Sequence, residues 1–217
     1  TLTLSGTENI AGSTLTLSPS TGNTINETGV ISGNTGSFNS NLNVSGGGTV
    51  ILSGTGGSDT YYGTTTVAGN SLLKSGAAVS VNSPLPTNTV LVLGGADNSS
   101  GSYDMNQANG NDGTIIAGLA SVGTGANMFF DSQANGNGVY FQISNVTANY
   151  TFNGTWGNDV SLNYAGGSFS ETLDPGGTMS PGSVILDSGT LIIGNNTTLT
   201  FNSASGLVIG NATTRNG

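Results

Sequence analysis

The pentapeptide Thr-Leu-Thr-Leu-Ser occupies residues 1–5 and returns at residues 14–18. Relatives of it recur down the chain: Thr-Val-Ile-Leu-Ser from Thr49, Val-Leu-Val-Leu from Val90, Ser-Val-Ile-Leu-Asp from Ser183, Thr-Leu-Ile-Ile-Gly from Thr190 and Gly-Leu-Val-Ile-Gly from Gly206. Each is a short run rich in β-branched residues that leads into a turn-forming residue such as Gly, Ser, Asn or Asp, the pattern of a strand followed by a turn. No segment sustains the apolar period of an amphipathic helix. A chain confined to short strands and tight turns must bury its apolar residues by stacking like on like. The sequence therefore predicts an all-β fold, and its repetition predicts a parallel β-helix, or β-solenoid. Val, Leu and Ile would point inward, Thr, Ser and Asn would form outward ladders, and Gly, Asn and Asp would take the corners. With roughly 20–25 residues per coil and about 4.8 Å between coils, the chain would make about nine or ten coils and a rod of about 45 Å.

Three stretches differ in texture. Residues 1–95 carry the clearest repeats. Residues 96–138 contain the Asn- and Asp-rich runs Asp-Met-Asn-Gln-Ala-Asn-Gly-Asn-Asp-Gly and Asp-Ser-Gln-Ala-Asn-Gly-Asn-Gly, which predict irregular coils or inserted loops. Residues 139–217 return to strand, with longer and more aromatic runs in the first part, and are expected to continue the same domain. Those longer runs would equally suit antiparallel pairing, so a β-sandwich is the alternative, especially for 139–217.

Over residues 46–95 the order of segments resembles the autotransporter-associated β-strand repeat, also called the passenger-associated transport repeat. Gly48-Thr49-Val50-Ile51-Leu52-Ser53-Gly54 stands for its first strand, and Thr60-Tyr61-Tyr62-Gly63-Thr64-Thr65-Thr66-Val67 for its turn and second strand. Ala68 to Leu73 follows as the third, and the segment from Ser83 to Gly95 as the continuation. Asp59-Thr60 stands where the family prefers Asn. The resemblance implies a right-handed parallel β-helix displayed outside a bacterial cell, in a repeat that is scaffold and not enzyme.

Composition narrows the chemistry. Lys74 and Arg215 are the only basic residues against eleven carboxylates, for a net charge of −9. Phosphate contacts depend on Lys and Arg, so nucleic acid is not an expected partner. No apolar stretch approaches the roughly 18 residues of a spanning helix, so membrane insertion is not expected either. With no His and no Cys, nucleophile–imidazole arrangements and thiolate metal sites are unavailable. Only 6% of the residues are charged, a surface better suited to a secreted repetitive protein than to a cytosolic enzyme. Two carboxylates at a fixed separation would suffice for glycoside hydrolysis, and Asp97, Asp104, Asp112 and Asp131 could supply them. The competing reading has each Asp closing its own turn, and the expectation is that the chain is not an enzyme.

Two further groups carry binding chemistry. Asp104, Asn106, Asn109, Asn111 and Asp112 gather oxygen donors of the kind that suit calcium, without matching an EF-hand loop; here too the alternative is turn formation. Calcium is the only cofactor the sequence suggests. Among the aromatics, Tyr150, Phe152, Trp156 and Tyr164 could line an outer strip for a glycan or a neighbouring subunit, or could fill the core. The chain opens at Thr1 on a strand motif and has no capping helix in view. It is either processed or a segment of something longer, and Leu2, Leu4, Leu207 and Ile209 are expected to mark ends that pair with other copies. The leading expectation is an extracellular, cell-surface structural protein that builds a fibre or layer from itself, head to tail. The alternative is a segment of a monomeric adhesin that binds glycan or a host surface, and the third reading is a polysaccharide-degrading β-helix enzyme.

Overall fold

Within Thr49-Val50-Ile51-Leu52, Val50 and Leu52 are buried while Thr49 and Ile51 are only partly covered. The same alternation holds in Asn41–Val44 and Thr64–Val67. A strand with one apolar face is stable only when that face lies on others, and this chain provides the others by winding. The structure, a computed structural model, describes residues 1–33, 40–54, 59–76, 84–106, 113–133, 139–157, 160–201 and 206–209.

The first coil holds β1 (Leu2–Leu4), β2 (Glu8–Asn9) and β3 (Thr14–Leu17), and the second β4 (Thr24–Glu27), β5 (Ile31–Ser32) and β6 (Asn41–Val44). The third contributes β7 (Thr49–Leu52) and β8 (Thr64–Val67), the fourth β9 (Ser71–Ser75) and β10 (Val90–Leu93). The fifth has β11 (Gly101–Asp104), β12 (Gly113–Ile116) and β13 (Gly118–Ser121), and the sixth β14 (Met128–Phe130), β15 (Val139–Ser144) and β16 (Tyr150–Phe152). The seventh runs through β17 (Thr155–Trp156) and β18 (Val160–Leu173), the eighth through β19 (Gly177–Met179) and β20 (Val184–Ile193). β21 (Thr197–Leu199) and β22 (Leu207–Ile209) follow, and no helix occurs among the described residues.

Corresponding strands stack in register. β1, β4, β7, β9, β11, β14 and β17 form one sheet in that order; β3, β6, β8, β10 and β13 form a second. β12, β15, β18, β20 and β22 form a third, which β16 joins through β18, while β2–β5 and β19–β21 are separate two-stranded pairs. All these pairings are parallel. The fold is thus a β-solenoid of about eight turns, fewer than the nine or ten expected. The reason is coil length, which varies from 20 residues (Gly177 to Thr197) to 30 (Ser71 to Gly101).

The sandwich alternative for residues 139–217 does not occur among the described residues. The long β18 is two solenoid strands joined at a bend. Its first half pairs with β15 from Val160 to Ala165 and its second with β16 from Glu171 to Leu173. Gly167, at φ 62°, lies between the halves, where a Cβ would be strained. Residues 96–138 also depart from expectation, since β11, β12, β13 and β14 place them in the same sheets as their neighbours. The Asn- and Gly-rich runs 107–112 and 134–138 lie outside the described residues.

Register also organises the interior. On the inner side of the first sheet it aligns Ile25, Val50, Leu73, Tyr103, Phe129 and Trp156 in one column. The column is aliphatic in the early coils and aromatic in the later ones. Hydroxyls are buried alongside it: Tyr61 Oη lies 2.6 Å from Thr65 Oγ1, which is 2.9 Å from Thr89 Oγ1, which in turn donates to the Gly63 carbonyl. Each buried hydroxyl thereby has a partner, as burial requires.

At the corners, polar side chains bond the backbone of the next coil. Asn70 Oδ1 accepts from Ser100 N and Oγ, both at 3.0 Å, and Asn98 Oδ1 accepts from Thr124 N at 3.0 Å. Both Asn residues have positive φ, a conformation Asn tolerates better than most residues. Asn127 is the buried member of the series; its Oδ1 accepts the Gly101 N–H at 3.0 Å. Replacing it with Ala would leave that N–H without a partner, at a cost of about 1–3 kcal/mol. Urea unfolding of Asn127→Ala should show the loss, and an unchanged midpoint would mean that the corner ladder contributes nothing.

Candidate functional site

The aromatic residues expected on an outer strip are mostly inside. Phe152 and Tyr164 are fully buried and Trp156 is 3% exposed; only Tyr150 is partly open. Phe129 packs against Tyr103, Phe141 and Trp156 with ring centroids 5.8, 4.3 and 4.9 Å apart. The Trp156 indole N–H donates to Val160 O at 3.1 Å, and Tyr164 Oη donates to Phe169 O at 3.0 Å. A glycan or subunit strip through Phe152, Trp156 and Tyr164 is therefore corrected to core filling. The physical reason is parity: Phe152, Trp156 and Tyr164 all fall on inward positions of their strands, where ring burial offers the larger gain.

The proposed calcium donors are only partly described. Asp104 is buried on the outer side of β11, where Lys74 Nζ lies 3.1 Å from its Oδ2. Its Oδ1 accepts from Asn106 N and Ser132 N, both at 2.9 Å. Asn106 donates to Ser75 O at 2.8 Å, and its Oδ1 accepts from Ser132 Oγ and Gln133 Nε2. Both residues thus serve as rungs between coils, and the Lys74 ammonium supplies the positive charge that a bound cation would bring. Asn109, Asn111 and Asp112 lie outside the described residues. Among the described residues no group of three or more His, Cys, Asp or Glu is placed to hold a metal.

The carboxylates considered for hydrolysis are likewise bound into local structure. Asp97, on an exposed turn, accepts from Ser99 Oγ at 2.6 Å and Ser99 N at 3.0 Å, and these bonds hold its carboxyl below the usual range. Asp131 accepts from Gln133 N at 3.0 Å. Asp112 lies outside the described residues.

Leu2, Leu4, Leu207 and Ile209 lie on the outermost described strands, β1 and β22. Leu2 is 55% exposed, Leu207 51% and Ile209 72%, with Val208 exposed between them. Leu4 is partly covered and packs against the core. β1 and β22 each lie at one edge of their sheet among the described residues.

Sequence reading missed a different set of groups, the buried carboxyls. Glu27, Asp59 and Glu171 are all buried, and Glu171 has no hydrogen-bond partner on either oxygen. Burial pushes Glu171 up to about 9; the Leu119 N–H offsets part of that without closing a hydrogen bond of normal geometry. A signal existed in the alternation. Glu27 shares a face with Ile25, and Glu171 shares one with Leu173.

No protein-family model matches this sequence, and comparison with characterised proteins and with solved structures finds no match. The fold and its edges carry the functional argument alone.

Proposed function

We propose that this chain is an extracellular structural element of a bacterial surface fibre or layer, and that its solenoid extends by pairing of coil edges with other copies of the chain. The carrying observation is the pair of edge strands, β1 with Leu2 exposed and β22 with Leu207, Val208 and Ile209 exposed. In a parallel solenoid each coil presents on one side what its neighbour accepts on the other, so head-to-tail contact repeats the internal stacking. Such contact does not close on itself and grows as a filament. The resemblance of residues 46–95 to passenger repeats supports a surface location.

Negative-stain microscopy and sedimentation of the purified chain test the proposal. Rods longer than the roughly 40 Å that eight coils span at about 4.8 Å each are expected at micromolar concentration. Leu207→Lys with Ile209→Lys should return them to single subunits. Wild-type chain that remains as isolated short rods would overturn self-assembly. The adhesin reading would then lead, supported by the outward Thr14, Thr16, Asn41, Asn43, Thr64 and Thr66, whose hydroxyls and amides stand in register.

A further inference from the structure

Glu8, Glu27 and Asp59 converge in the first three coils, and no basic side chain among the described residues accompanies them. Glu27 lies on the inner face of β4, in register between Leu4 and Leu52. It is 1% exposed; its Oε1 accepts the Gly29 N–H at 2.7 Å, and its Oε2 is buried without a hydrogen-bond partner. Glu8, on β2, also keeps Oε2 buried and unpartnered. The charge of Glu8 acts on Glu27 from the neighbouring coil. Carboxylate oxygens only accept, so a hydrogen bond closes between them only when one carries a proton. Asp59 is buried one coil further on; its Oδ1 accepts the N–H of Ile31 at 2.8 Å, the residue that pairs with Glu8.

Among the described residues no basic side chain supplies compensating charge. Of the two basic residues in the sequence, Lys74 is engaged with Asp104 on the outside of the first sheet, and Arg215 lies outside the described residues. β1, β5 and β7 contribute no titratable side chain. The remaining titratable group that feels Asp59 is Tyr61, whose phenol is pushed up by burial and by Asp59 and stays neutral. Ionised carboxylates buried together without a counter-ion cost more than protonating them.

We infer that Glu27 and Asp59, with Glu8 beside them, form a proton-binding site that holds the first three coils together, closed while Glu27 and Asp59 hold protons and loosened when they ionise. Burial first, then the charge of Glu8, raises Glu27 above the usual carboxyl range, against the Gly29 N–H. Burial first, then Glu27 and Glu8, raises Asp59 to about 7, against the Ile31 N–H. Groups raised in the folded state contribute stability that is complete below the ordinary carboxyl range, about pH 4. For Asp59 that contribution is lost as pH rises through about 7.

Carboxyl ¹³C titration of the intact chain, which has only eleven Asp and Glu residues, reads the site directly. Asp59 should titrate near 7, and Glu27 above the ordinary carboxyl range. Amide exchange in β1–β5, corrected for its intrinsic pH dependence, should accelerate as pH rises from about 4 to about 7 while β10–β13 stay protected. Glu27→Gln with Asp59→Asn should abolish that acceleration. Glu27 and Asp59 both titrating near pH 4, the ordinary carboxyl value, would overturn the inference. Closure at pH 8 that requires calcium chloride and is undone by EDTA would also overturn it, since the ligand would then be a cation. None of these readouts depends on end-to-end association.

Discussion

Replacing Glu171 with Gln raises the melting temperature at pH 8 by roughly 10 °C and leaves it nearly unchanged at pH 4.5. Glu171 is fully buried on the inner side of β18, its carboxyl is pushed up to about 9, and neither oxygen has a hydrogen-bond partner. In its neutral form it is nearly isosteric with Gln, so the substitution changes little in acid. The stability it contributes is complete below about pH 4, the ordinary carboxyl range, and is lost as pH rises through about 9. At pH 8 most of that loss has occurred. With each pKa unit worth about 1.4 kcal/mol, the gain for Gln is on the order of 3–5 kcal/mol, or roughly 10 °C for a domain of this size. Thermal unfolding of both proteins from pH 4.5 to 9 checks this. Parallel curves for the two would show that Glu171 is ionised and compensated, contrary to the geometry.

Phe129→Ala is expected to be the most damaging single truncation in the core. Phe129 touches the rings of Tyr103, Phe141 and Trp156, joining the first sheet to β15 of the third. Deleting it removes about 3–5 kcal/mol, because the neighbouring coils are fixed by their backbone pairing and cannot collapse into the cavity. Phe130, the next residue, lies on the opposite face and is only partly covered. Phe130→Ala should cost about 1 kcal/mol. Urea unfolding of the pair gives a direct test of the inward register, and equal losses at the two positions would refute it.

The buried carboxyls connect the pH effects. Neutralising Glu27, Asp59 and Glu171 in acid also reduces the repulsion within a chain of net charge −9. Stability that increases toward acid pH is therefore expected at both ends of the solenoid, from separate groups. The double substitution at Glu27 and Asp59 should flatten the slope up to about pH 7, whereas Glu171→Gln should flatten it from about pH 4 up to about 9.

Much of the fold was legible before any coordinates. Thr49-Val50-Ile51-Leu52 announces its inner face by alternation, and the recurrence of such runs announces stacking. The same reasoning left two readings open where a residue's type did not settle its position. Trp156 and Tyr164 each carry a polar atom that burial must satisfy, and only the folded chain shows Val160 O and Phe169 O in place to do so. Asp104 and Asn106 read as cation ligands because Lys74 stands 30 residues earlier than Asp104, a full coil away in sequence but adjacent in the sheet.

By itself the sequence determined the strands, their turns, their inner faces and the near absence of positive charge, because these follow from local periodicity and composition. The tertiary structure decided which residues of different coils lie side by side. Coil lengths of 20 to 30 residues cannot be fixed from strand signals alone, and a small error in any of them changes every cross-coil neighbour. Whether Glu27 faces another carboxyl or a lysine, and whether Asp104 meets a metal or an ammonium, depends on that register and not on local propensity.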